Sequence, residues 1–413
     1  MTTSAARPRS YEFILLALLV LLWGSVGLNR IGLGLIFPQI KAEFGMPNWQ
    51  ASLLIAGTSI TWAFASWAGG WLSDRYGRRR VLLPAVAFIC VMTAAMGGAW
   101  SFLSMFLVRD LLGIGDGVGW SVGQATISEE VAPQRRGVSQ ALFTAGYTLI
   151  GAGAGALIIT SLSVHFGWRW AFPLIAAATT PVVIALALIM REPVMHQAHA
   201  GAADWRAATR LLRKPSLVLL TIMGCAILSW LQVFAGFDHS FLVESRHFSP
   251  IDAGEIASCW GFVGAVGSVL LPLASDYWGR RPVVLASALV CAASLAAYLF
   301  GGFDKTTMQL LLGLSGFCGF GLLPIVLATC VSESVGEEER GAALGVTNFF
   351  GVIIGTTLMP FVGGVLADGF GLTATLCIPI AAQLAVAGCV LAVTETAPRA
   401  VARRGMAQAR QAA

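Results

Sequence analysis

The stretch Gly70-Trp71-Leu72-Ser73-Asp74-Arg75-Tyr76-Gly77-Arg78-Arg79-Arg80 puts five charges side by side in a chain that carries few, and it occurs twice. About half the chain later, Leu273-Ala274-Ser275-Asp276-Tyr277-Trp278-Gly279-Arg280-Arg281-Pro282 keeps the Asp, the aromatic, the Gly and two arginines at the same spacing. A second pair of segments follows each copy. Ile127-Ser128-Glu129-Glu130-Val131 with Arg136-Gly137 is echoed by Val331-Ser332-Glu333-Ser334-Val335 with Arg340-Gly341. The chain therefore reads as two parallel halves, and in a membrane protein such halves imply a transporter that rocks around a site between them.

Working outward, 57% of the residues are apolar and only 11% are charged, whereas roughly a quarter are charged in a soluble domain. Lipid is the solvent this composition requires. Apolar stretches of about 20 residues, the length that crosses a bilayer, begin near Phe13, Trp49, Val81, Phe102, Val138 and Trp170. They begin again near Ser216, Ala253, Val283, Met308, Ala342 and Leu372. The expected fold is all-α and integral to the membrane: twelve transmembrane helices in two six-helix bundles, residues 1–190 and 216–396. A linker, 191–215, joins the bundles, and a tail, 397–413, follows them. The first apolar stretch is read as a span and not as a cleavable leader.

With the N-terminus placed in the cytoplasm, twenty of the 26 Lys and Arg fall in cytoplasmic segments. Lys41, Arg169, Arg246 and Lys305 fall on the other side, and the excess predicts that both termini are cytoplasmic. The net charge of +5 is thereby accounted for by topology and does not imply nucleic acid, whose binders cluster their cations on a soluble face. The eight cysteines lie in apolar stretches without a CxxC pair and read as small core residues. His196 and His199 in the linker lack a Cys or carboxylate partner and read as loop residues and not as a metal site. Trp205, Thr209 and Leu212 at helical spacing suggest a short helix on the membrane surface. No nucleophile elbow, metal cluster or phosphate loop is present, so neither an enzyme nor a cofactor is expected.

Arg30 and Arg109 remain, and both fall inside spans. Counted along their helices at 1.5 Å per residue, each lies about 10 Å from the outer surface. Arg is tolerated at that depth where it faces a cavity or partner, and its planar fork suits a carboxylate or phosphate. Arg109, Asp116, Trp120 and Gln124 share one face of the fourth span. The expected site joins Arg30 and Arg109 to a small organic anion, with Asp116 exchanging a proton as Arg109 exchanges Asp116 for substrate. Asp238, beside His239 near the outer end of the seventh span, is the second proton candidate. Trp120, Tyr147, Trp260 and Asn348 are candidate contacts for the organic part of the ligand. Closely spaced glycines in spans 5 and 11 suggest close helix packing.

The pattern Gly70-x-x-x-Asp74-Arg75-x-Gly77-Arg78-Arg79 resembles the signature loop of the major facilitator superfamily. The degenerate second copy, the Pro133-x-x-Arg136-Gly137 turn and the Gly167-Trp168-Arg169-Trp170 entry agree with it. The segment Arg109-x-Leu111-Leu112-Gly113-Ile114-Gly115-Asp116 is similar to that of the anion:cation symporters, although Asp116 stands in place of Glu and only Asn29-Arg30 survives of an Asn-x-x-Asp-Arg motif. The aromatic acid:proton symporters compete with that assignment. The resemblance implies secondary transport in the inner membrane by a monomer, with the small organic anion and protons as its partners. It also implies gating: Asp74, Arg75, Arg78 and Arg79, with Glu129 or Glu130, would lock the bundles in the outward-open state, and Asp276 and Arg280 repeat the device. Proton-driven efflux of drugs or metabolites on the same fold is the competing expectation.

Overall fold

The computed structural model describes residues 9–132, 134–192 and 213–396. The linker helix, His196, His199, Pro133 and the tail lie outside the described residues. Thirteen helical rods follow one another among those described. In the first half they are α1 (Arg9–Leu35), the short α2 (Phe37–Phe44), α3 (Asn48–Tyr76), α4 (Arg78–Met96), α5 (Phe102–Glu130), α6 (Arg136–Phe166) and α7 (Trp168–Ile189). The second half holds α8 (Pro215–Ser245), α9 (Pro250–Trp278), α10 (Arg280–Phe300), α11 (Lys305–Glu333), α12 (Arg340–Phe370) and α13 (Leu372–Ala392). Omitting α2, twelve helices of membrane-spanning length form two sets of six, as expected.

A helix satisfies every backbone N–H and C=O of a single segment within lipid, and the long apolar runs supply such helices. Eleven of the twelve are apolar enough over 18 residues to cross a membrane. The other is α5, which holds Arg109, Asp110 and Asp116 in its interior. Local chemistry sets the ends. Ser101 and Ser104 form a capping box at the start of α5, and the Asp304 carboxylate accepts from the Thr306 N–H at the start of α11; such caps satisfy the free donors of a first turn.

The repeat is visible in the backbone. Gly77 and Gly279 join consecutive helices at φ of 104° and 106°, and Gly167 and Gly371 at 80° and 85°. Side chains rarely adopt that region, which explains glycine at all four single-residue turns. π-helical turns also recur in matching places, at Tyr147–Ala154 in α6 and Gly351–Leu358 in α12.

The helices α1, α3, α6, α8, α9 and α12 line the junction of the two bundles. At the end of the molecule opposite the basic loops, here the far face, the bundles are in contact. There Gly34 of α1 abuts the Ala235 carbonyl of α8, and Gly364 of α12 abuts Ser52 and Asn48 of α3. Midway, Gly261 of α9 packs on the backbone of Ala152 and Gly153 in α6. Without an apolar driving force between helices in lipid, small residues permit such approach. Two polar links close the far face: Lys41–Glu244 at 2.8 Å, and Asp368 bound to the first residues of α3.

Candidate functional site

The charged loops fold as two copies of one cluster. Arg78 bonds the Ser73 hydroxyl (2.5 Å), Asp74 (2.5 Å) and Glu129 (2.7 Å). Arg280 bonds Ser275 (2.5 Å), Asp276 (2.6 Å) and Glu333 (3.0 Å) in the same way. These ion pairs lie within one bundle each, joining the α3–α4 turn to the end of α5 and the α9–α10 turn to the end of α11. Of the two expected acids, Glu129 is the one that holds Arg78. Arg75 lies over the rings of Trp71 and Tyr76, and Arg79 donates to the Ala187 carbonyl at 2.8 Å.

Two further carboxylates belong to the clusters. Glu192 accepts from the Arg79 N–H at 3.2 Å, and Glu395 from the N–H groups of Arg280 and Arg281 at 2.8 and 3.1 Å. Anions at helix N-termini are stabilising, and here each ties the end of a half to its own first charged turn. Sequence reading missed both, although Glu192 and Glu395 follow Gly77 and Gly279 at nearly equal offsets and the repeat was a signal for them.

Inside the membrane, Arg30, Arg109 and Asp116 lie close enough to act on one another through their charges, and Tyr147 lies near all three. All four are among the residues expected at the site. The arrangement differs from an Arg109–Asp116 pair. Arg109 is 1% exposed and points across to α1, donating from its guanidinium to the Asn29 carbonyl at 2.9 Å and the Arg30 carbonyl at 3.3 Å. Asp116 lies two turns along α5, about 10 Å away along the axis, and is fully buried with neither carboxylate oxygen hydrogen-bonded. The carbonyls of a neighbouring helix therefore hold the guanidinium that was expected on the acid.

Arg30 is the freer of the two. It is half-buried and stacks over the Trp62 ring with its guanidinium carbon 5.5 Å from the ring centre, an attraction that leaves its N–H donors available. The Trp62 Nε1–H beside it is buried and without an acceptor. Trp120 packs on Trp23 (4.7 Å between ring centres) and Phe143 (5.7 Å), and Trp23 on Tyr147 (5.8 Å). Trp62, Trp120 and Tyr147 remain half-buried. The first bundle thus joins a guanidinium, a carboxylate and aromatic walls. Asp110 leaves this face and packs against Gly57 of α3.

The second bundle contributes differently. Asn348 is exposed on α12 and is not drawn to this cluster. Trp260 is buried among Trp230, Phe234 and Phe320 and serves as packing. Asp238, the second proton candidate, is 4% exposed and accepts from the Tyr298 hydroxyl at 2.5 Å. The contact of α1 with α8 covers it. Among the described residues no group of three or more His, Cys, Asp or Glu is placed to hold a metal ion.

The twelve-helix, two-bundle architecture recurs in known proteins. A bacterial homologue of the lysosomal transporter Spinster, solved in an inward-facing and occupied conformation, superposes with a TM-score of 0.80 at 17% identity, covering 93% of this chain and 97% of that one. A probable 4-methylmuconolactone transporter of Cupriavidus pinatubonensis is 25% identical over 393 residues, 91% of this chain and 88% of that protein. A cis,cis-muconate transport protein of Acinetobacter baylyi is 26% identical over 379 residues, 87% of each. The family model of the Major Facilitator Superfamily matches residues 19–355 and 239–412. By that match, with the repeated charged loops and the paired six-helix bundles, the chain is a multi-pass membrane transporter that belongs to the Major Facilitator Superfamily.

Proposed function

We propose that this transporter carries a small organic anion together with a proton, by alternating access between the two bundles. The observation that carries this reading is that the first bundle holds both Arg30, whose guanidinium has no carboxylate in ion-pair contact, and a buried Asp116 with no hydrogen-bond partner that lies within reach of the Arg30 charge. Arg30 receives the carboxylate, Arg109 fixes the turn of α1 from which Arg30 projects, and the half-buried rings of Trp62, Trp120 and Tyr147 face the organic part. A bound anion cancels positive charge near Asp116, which favours the neutral acid there. Anion and proton are then loaded together. The resemblance of the chain to carriers of muconate and 4-methylmuconolactone supports an unsaturated or aromatic acid as cargo.

The distribution of Lys and Arg supports a cytoplasmic location for the charged loops and both termini. The far face is then external, and the structure corresponds to the state closed to the outside. In that state Arg78 and Arg280 are satisfied within their own bundles. In the opposite state Asp74 would be available to hold the bundles together, as the resemblance implies.

Uptake into proteoliposomes tests the reading. With an inside-alkaline pH difference, muconate or benzoate should accumulate above its external concentration, and collapse of the pH difference should abolish that accumulation. Pumping of cationic dyes in exchange for protons, without anion uptake, would establish the efflux reading instead.

A further inference from the structure

Beneath the far-face closure lies a cavity about the size of one water. Ile31 and Leu35 of α1, Ala152 and Ala156 of α6, and Asp238, His239 and Trp260 of the second bundle enclose it. The wall is apolar except for the two adjacent α8 residues. Asp238 has the Tyr298 hydroxyl on one oxygen and no cation within ion-pair distance. The His239 Nδ1, also buried, has no partner. The charged groups on the surrounding helices are engaged elsewhere. Lys41 pairs with Glu244, Lys305 with Asp252 and Glu255, and Asp368 with the start of α3. Arg246 donates to the Leu299 carbonyl at 2.6 Å and acts on Tyr298 only through its charge. Arg30 precedes Ile31 on the opposite bundle and stacks on Trp62. The segments of α6, α9 and α13 packed near the cavity contribute no further charge.

We propose that Asp238, with Tyr298 as its hydrogen-bond donor, is a second protonation site that opens only to the outside and gates closure of that side. The lid of the cavity is the α1–α8 contact itself, so separating the bundles at Gly34 and Ala235 brings external water to Asp238. Closing them buries the group. An unpaired carboxylate is costly to bury in an apolar site, whereas the neutral acid with a hydrogen bond is tolerated. Closure therefore draws a proton from external water onto the Asp238 carboxylate, and external acidity favours the closed state. This proposal rests on the alternating-access reading and its orientation but not on Asp116, which lies in the other bundle. His239 is the other ionisable group on the cavity wall, so a His239→Gln variant belongs in the test.

Spin labels on Ala42→Cys and Ser245→Cys, both exposed on the far face, report its separation once the partly exposed Cys90, Cys259, Cys377 and Cys389 are replaced by serine. In liposomes without substrate, the closed population should rise at least threefold from pH 8 to pH 5. Asp238→Asn should hold it high and independent of pH. Tyr298→Phe removes a hydrogen bond that favours the ionised form, and should extend closure to higher pH. The shift should persist in His239→Gln and in Asp116→Asn, so loss of coupled transport in Asp116→Asn leaves this gate intact. An Asp238→Asn protein with the parent's pH response overturns the proposal, as does an unchanged response in Tyr298→Phe should Asp238→Asn fail to fold. Loss of the shift in His239→Gln assigns the gate to His239 and also overturns it.

Discussion

The carboxylate of Asp368, near the end of α12, accepts a hydrogen bond from the backbone N–H of Asn48 at 2.8 Å, at the start of α3 in the other bundle. Its second oxygen accepts from the Trp49 N–H at 2.9 Å, and Asn48 Nδ2 adds a third bond at 2.9 Å. One acid thus caps a helix that it reaches only when the far face is closed. With charge–helix-end interactions of about 0.3–2 kcal/mol, Asp368→Asn should lower the closed-to-open ratio by about 2–30-fold. Labels at Ala42 and Ser245 measure it, and an unchanged distribution would remove Asp368 from the latch.

Arg30 and Arg109 should separate by experiment. Arg30→Lys keeps the charge but loses the fork, and should weaken anion binding at least about tenfold with little change in thermal stability. Arg109→Ala removes two hydrogen bonds to carbonyls of α1 and empties the space of a fully buried side chain, and should lower the melting temperature as well as uptake. Thermal melts of both variants, with and without anion, decide between these roles. Equal loss of stability in both would contradict the division.

Asp116→Asn mimics the protonated acid. The variant should bind anion and exchange it across the membrane at close to the parent rate, and should fail to concentrate it when a pH difference is imposed. Counterflow and pH-driven uptake in the same liposomes separate the two activities. Retained accumulation would place the proton elsewhere.

Glu43 on α2 supplies a pH reference outside the spans. Hydrogen bonds from Arg169, then from Trp168, hold its carboxyl below the usual value of 4.5 despite slight desolvation. The folded value is the depressed one, so the contact contributes above pH 4.5 and is lost as pH falls through the lower folded value. The stability difference between parent and Glu43→Gln should be constant from pH 8 to pH 5.5 and shrink below about pH 4.5. Being half-exposed, the contact is screened by salt, and the difference should also shrink in high salt. A change between pH 6 and 8 would contradict the assignment.

The amino-acid sequence by itself determined the number of spans, their pairing into halves, and the few charges that lipid must tolerate. Those are consequences of local composition: a run of about 20 apolar residues has one solution in a bilayer, and Arg30, Arg109 and Asp116 stand out because their surroundings are apolar. The repeat also marked Gly77 and Gly279 as equivalent turns. What each charge touches was decided by the tertiary structure. Arg109 and Asp116 share a helical face, yet the long Arg109 side chain reaches across to carbonyls of α1, a helix about 80 residues distant in sequence. Asp238 falls near the outer end of its span by sequence, yet α1 covers it, and Asp368 meets Asn48 across 320 residues. Periodicity orients a residue on its own helix; which neighbouring backbone or cavity it meets depends on how whole bundles pack, and in a transporter that packing is what changes.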